Sequence, residues 1–188
     1  MRHLFDFIPG VKNRAALMLC FGGGLRVSEA AAFKTVNIDS ARMLLRVEQG
    51  KGRKDRYTML SPALLEVLRV YWRVLRPAGP WLFPSWHPSR HISPGVLQRA
   101  CREAWQLAAL PKRVTPHTLR HSFATCLLDS GVDTRVIQVL LGHDNIETTA
   151  RYTAVSPAKI AATASPAEQL LAGHWKKTRK QVARSRKA

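Results

Sequence analysis

Two arginines, two histidines, a lysine and a tyrosine are spaced along this chain in contexts that could converge on one phosphate. Arg26 stands in GGLRVSEA, His117 and Arg120 in TPHTLRHSFAT, His143 in VLLGHDN and Tyr152 in TTARYTAV, while Lys51 and Lys54 share GKGRKDR. Attack on a phosphodiester puts extra negative charge on the non-bridging oxygens of a five-coordinate phosphorus, and preorganised cations must meet it. Enzymes that use Mg²⁺ for this task carry clustered carboxylates, and no DxD-like cluster lies near the basic segments here. Arginine forks are the natural substitute, because each makes two charge-assisted hydrogen bonds to phosphate oxygens and stays protonated. Arg26 and Arg120 are the candidates for that clamp.

Each residue also has a plainer explanation. Arg26 follows glycines that let the backbone approach a ligand, yet it could simply pair with Glu29 at the start of a helix, worth a few tenths of a kcal/mol. His117 and Arg120 lie one turn apart near a helix N-terminus, so both can face one anion. His117 and His121 have zinc-like spacing, but no third ligand is near in sequence and the arginine would repel a cation. His143 follows Gly142 at a helix C-terminus, where the helix dipole alone favours an imidazolium; the functional reading makes it a hydrogen-bond donor to phosphate. Tyr152 could be an ordinary half-buried aromatic; as a nucleophile its phenol must shed a proton from a pKa of about 10, helped by nearby cations. A lysine on a hairpin tip could protonate a departing 5′-oxygen, or merely touch phosphates without specificity. From the residues alone, Lys51 and Lys54 are both open for that role.

The elements that must position these groups are legible from periodicity and punctuation. Apolar residues recur at helical spacing from Val11 to Phe21, and Gly22-Gly23-Gly24 closes the run. A short helix is expected over Val27–Phe33. VNID, MLLRVEQ and RYTML read as strands of a small antiparallel sheet, with the basic hairpin tip between the last two. Ser61-Pro62, Ser93-Pro94 and Thr115-Pro116 are cap and first-turn pairs for three amphipathic helices. Pro77–Gly95 reads as an extended surface loop. Gly131 closes the helix that carries His117 and Arg120, Asp133 caps the next, and Gly142 ends that one. A last helix is expected over Thr148–Tyr152. The fold class predicted is mainly α with a small antiparallel β-sheet, an α+β domain.

Composition narrows the partner. The chain has 188 residues, enough for one domain with its own core, and 46% hydrophobic residues, which excludes a disordered chain. Lys and Arg number 30 against 12 Asp and Glu, a net charge of +18, so a polyanion is the expected partner, most simply nucleic acid; on charge alone a ribosome-like basic protein or an anionic-membrane binder is nearly as open. Three scattered cysteines suggest a reducing compartment and no disulfide frame. The N-terminus lacks a continuous apolar stretch of signal-peptide type, and a cytoplasmic protein without a membrane span is expected. The last segment, HWKKTRKQVARSRKA, holds seven basic residues and little to bury, so residues 174–188 are read as a flexible basic tail.

Taken jointly, the spacing resembles the signature R…K…HxxR…H…Y of the tyrosine recombinase (phage integrase) family, from about Asn13 to about Pro157. TPHTLRHSFAT…GVDTRVIQVLLGH…TTARYT carries most of the resemblance. It implies a catalytic domain over residues 1–173 and a site-specific recombinase that cuts and transfers DNA strands through a 3′-phosphotyrosyl intermediate, with no metal or cofactor. It also implies the roles: Tyr152 as nucleophile, Arg26 and Arg120 as phosphate clamp, His117 and His143 as assisting groups, and Lys51, the first lysine of the GKG turn, as general acid. Implied partners are double-stranded DNA and further protomers, up to a tetrameric synapse, with the segment after Tyr152 docking on a neighbour. Members usually carry an N-terminal core-binding domain, for which this sequence has no counterpart before the first catalytic helix. A DNA-binding remnant without cutting activity and a relaxing activity of type IB topoisomerase kind are the alternatives.

Overall fold

A computed structural model describes residues 1–48, 55–142, 160 and 165–171. The expected hairpin tip with Lys51 and Lys54, the expected helix over Thr148–Tyr152, His143 and the basic tail lie outside the described residues.

Helix α2 (Val11–Gly22) runs through the middle of the domain, with every residue from Ala15 to Gly22 buried. A helix with no polar face belongs in a core, and the others pack around it. They are α1 (Arg2–Phe7), α3 (Val27–Ala31), α4 (Pro62–Leu75), α5 (Pro94–Leu107) and α6 (Pro116–Asp129). Helix α7 (Thr134–Leu141) and a C-terminal helix α8 (Pro166–Leu171) complete the helical set. The three cap pairs expected from sequence are present: Ser61 accepts from the Leu64 N–H, Ser93 from Gly95 and Thr115 from Thr118.

Strands β1 (Ile38–Asp39), β2 (Leu44–Val47) and β3 (Arg56–Met59) form the antiparallel sheet in sequential order. Its register pairs Leu44 with Met59, Leu45 with Thr58 and Val47 with Arg56. Because side chains alternate across a strand, the sheet separates two apolar clusters. Leu45 and Val47 join the large core around α2, whereas Leu44 and Met59 join Phe123, Leu127, Val136, Ile137 and Leu140 under α7.

Three elements differ from the sequence reading. Helix α1 forms in a stretch for which the sequence reading names no element, because Leu4, Phe5 and Ile8 all find places in the core. The segment between α4 and α5 is more than a surface loop: Leu82, Phe83 and Ile92 are buried, and it pairs Lys34 with Trp81 and Pro84 with His91. Helix α8 stands where the sequence reading names no element; Ser165 donates to Gly22 O at 2.9 Å and Ala167 is fully buried. Among the described residues no helix is long and apolar enough to cross a membrane.

Candidate active site

The site grows from the turn that leaves α2. Gly24 has φ of +67°, and a Cβ there would stand 2.6 Å from the Phe123 ring, so only glycine lets this turn press against α6. That approach brings Gly24 O to 2.7 Å from Arg120 Nη1. Arg26 then caps α3. Glu29 reaches back from the first turn to accept the Arg26 backbone N–H at 2.7 Å and Arg26 Nη1 at 3.0 Å. The plain pairing expected for Arg26 and Glu29 is therefore real, but it leaves the Arg26 side chain 30% exposed. Its second amine points to Gly142 O at 3.3 Å.

Arg120 arrives from the first turns of α6, which Thr115 and Thr118 fix by reciprocal hydrogen bonds of 3.2 Å. His117 is exposed one turn earlier, while the Arg120 side chain is only 9% exposed. Arg120 Nη2 donates to Leu141 O at 2.6 Å. Burial, then the neighbouring Arg26 charge, pull the Arg120 pKa down to about 10, with Glu29 opposing them. It stays cationic at neutral pH, and an incoming anion would relieve the pressure of its like-charged neighbour.

One member of the cluster escapes sequence reasoning. Arg56, at the start of β3, places both amines on Glu29, Nη1 on Oε1 at 2.8 Å and Nη2 on Oε2 at 2.7 Å. Its Nε donates to Leu140 O at 3.0 Å. The only hint in sequence is that Arg56 and Thr58 share one face of a strand, and Thr58 Oγ1 donates to Gly23 O at 2.9 Å. Glu29 resists protonation as a result: burial would raise its pKa, but the Arg56 hydrogen bonds and charge, with those from Arg26, hold it at about 2.

Three guanidiniums thus meet three successive carbonyls at the end of α7: Arg56 on Leu140, Arg120 on Leu141, Arg26 on Gly142. These are the carbonyls a helix leaves without internal partners, at its negative pole. With one carboxylate among them, the cluster keeps a surplus of positive charge. Beside it, Val27 and His117 line a cleft of about 610 Å³ whose other wall carries Gln98, Arg99, Arg102 and Arg113. Of the six residues picked from sequence, Arg26 and Arg120 come together and His117 opens on the adjoining cleft. Lys51, His143 and Tyr152 lie outside the described residues, with His143 next in sequence to Gly142.

Known proteins resemble this chain both in sequence and in fold. The profile of the Phage integrase family matches residues 1–159. A putative integrase/recombinase, y4qK of Sinorhizobium fredii, is 49% identical over 90% of this chain and 55% of its own length. Tyrosine recombinase XerA of Thermococcus onnurineus is 39% identical over 83% of this chain and 56% of its own. The crystal structure of XerA recombinase superposes with a TM-score of 0.69 at 27% identity, covering 94% of this chain and 62% of that one. The chain therefore spans about half the length of these curated relatives. On a match of this extent, the chain belongs to the phage integrase family.

Proposed function

We propose that the chain performs site-specific recombination on double-stranded DNA, by metal-independent strand cleavage and transfer. The observation that carries the reading is the pair Arg26 and Arg120, held from different elements at one helix end beside a basic cleft. Tyr152 Oη, its proton lost to solvent and its phenolate favoured by the nearby cations, attacks the scissile phosphorus, forming a 3′-phosphotyrosyl bond as the bond to the 5′-oxygen breaks. Lys51 gives that oxygen its proton. Arg26 and Arg120 take the charge that grows on the non-bridging oxygens, and His117 and His143 add hydrogen bonds. A 5′-hydroxyl from a partner strand then attacks the phosphotyrosyl bond and releases the phenol, so the phosphodiester energy is conserved.

The catalytic unit extends through residue 173, and the tail over 174–188 lies along DNA phosphates. Exposed Arg99, Arg102 and Arg113 offer further phosphate contacts on the wall of the cleft. Further protomers complete a synapse of up to four. Incubation with a nicked half-site, from which the short 5′ fragment diffuses away, is expected to yield a covalent protein–DNA species. Tyr152→Phe is expected to bind the same DNA and yield none. Equal adduct from both proteins would overturn Tyr152 as nucleophile, and no adduct from the bound wild type would overturn the enzyme reading.

A further inference from the structure

A carboxylate at the heart of a phosphate site is a liability. Left to itself Glu29 would neutralise the arginines and repel the substrate. Yet Arg120 Nη1 stops 3.7 Å from Glu29 Oε2, outside hydrogen-bond reach, and Arg26 keeps its outer face open. The reason is on the opposite side of the carboxylate, where Arg56 occupies both oxygens with a parallel fork.

We propose that Arg56 is a positioning residue of the cleavage site. It claims the Glu29 carboxylate and the end of α7, so that Glu29 orients Arg26 and Arg120 without cancelling their charge toward the substrate. The inference rests on the strand-transfer reading above.

The geometry argues against Arg56 as a phosphate ligand. Its side chain is 9% exposed, and its Nε and both amines already donate inward. It reaches the end of α7 by crossing Gly142 so closely that a Cβ there would meet Arg56 Cδ at 2.7 Å. One guanidinium thereby fixes the carboxylate on one side and the helix end on the other. Those are the two supports from which Arg26 and Arg120 are aimed. Removing the fork would free Glu29, still bonded to Arg26, to close on Arg120 and cancel charge that should face the incoming phosphate.

The test uses the full chain and single-turnover adduct formation on a nicked half-site at saturating DNA. Arg56→Gln is expected to retain a cooperative melt and near-normal DNA affinity while adduct formation slows about a hundredfold, the scale of a displaced reacting group. Arg56→Lys, which keeps the charge but not the fork, is expected to fall between, and carries the same comparison should Arg56→Gln unfold. Adding Glu29→Gln to Arg56→Gln is expected to recover part of the rate, because the carboxylate that would neutralise Arg26 and Arg120 is gone; a merely structural contact would not be rescued by losing a second partner. Wild-type rates in Arg56→Gln, or a loss that Glu29→Gln does not relieve, overturn the proposal. Failure of the wild type to form adduct is a failure of the strand-transfer reading, and the role of Arg56 is then read without catalysis. Inorganic phosphate, followed through the Arg26 and Arg120 side-chain N–H resonances, is expected to bind several-fold more weakly to Arg56→Gln; unchanged binding overturns the proposal.

Discussion

Arg56 passes directly over Gly142. The glycine sits in the left-handed region with φ of +66°, and a methyl group built on it would stand 2.7 Å from Arg56 Cδ and 3.1 Å from Nε. Two requirements therefore fall on one residue, a positive φ to end α7 and an empty space for the arginine that holds that end. Gly131 has the first requirement without the second, since its φ is +76° and nothing lies within 4 Å of a built Cβ.

That contrast gives a prediction with its own control. Gly131→Ala is expected to lose only the backbone preference, about 1–2 kcal/mol in urea denaturation. Gly142→Ala is expected to lose visibly more, because the methyl also displaces Arg56 from Leu140 O and Glu29. Equal losses at the two positions would mean that the crossing of Arg56 carries no stability.

Glu29 makes stability depend on acid. Burial alone would raise its pKa, but Arg56 and Arg26 hold it at about 2, below the ordinary value of 4.5. A depressed carboxylate contributes stability that is fully present above about pH 4.5 and is lost as pH falls from there toward 2. The contribution is on the order of 3 kcal/mol. Glu48, held low by Lys34, acts in the same direction, so the comparison must be between wild type and Glu29→Gln. The variant is expected to be less stable at pH 7 and to show a flatter stability profile between pH 4.5 and 2. Parallel profiles would contradict the account of Glu29.

The basic wall of the cleft is tested by salt. Replacing Arg99, Arg102 or Arg113 with Gln is expected to lower the slope of log affinity for duplex DNA against log salt by about 0.9 for each phosphate left without its cation. Binding should weaken evenly across sequences, since phosphate contacts carry no sequence information directly. A slope unchanged in the triple variant would place the DNA elsewhere on the surface.

How much of this is legible in the sequence follows from the range of each cause. Helix starts at Ser61, Ser93 and Thr115, and the glycine end of α7, depend on contacts within a few residues, and all stand where expected. The sheet is legible because turn signals and alternating apolar residues are also local. Helix α1 escapes sequence reasoning because six residues followed by Pro9 and Gly10 carry little periodic signal, and only burial of Leu4 and Phe5 against the rest of the fold explains it. The pairing of Arg26 with Arg120 is expected from the chemistry of a phosphate clamp and from the family resemblance, but its cause, Gly24 meeting Phe123 across the chain, leaves no local signal. Arg56 is invisible for the same reason. Its role follows from a register that sets it opposite Val47 and from a helix end that arrives 84 residues later in the chain.

The charge on the scissile phosphate is the quantity on which Arg26 and Arg120 are proposed to act. A methylphosphonate at that position replaces one non-bridging oxygen with a methyl group and leaves the linkage neutral, and Arg120→Ala removes one of the cations that meets the charge. Single-turnover adduct rates for both proteins on both substrates form a double-variant cycle. With the natural phosphate, Arg120→Ala is expected to slow adduct formation about 10²–10³-fold. With the methylphosphonate that penalty is expected to shrink strongly, since the charge it served is gone. An equal penalty on both substrates would contradict the claim that this cluster stabilises phosphate charge.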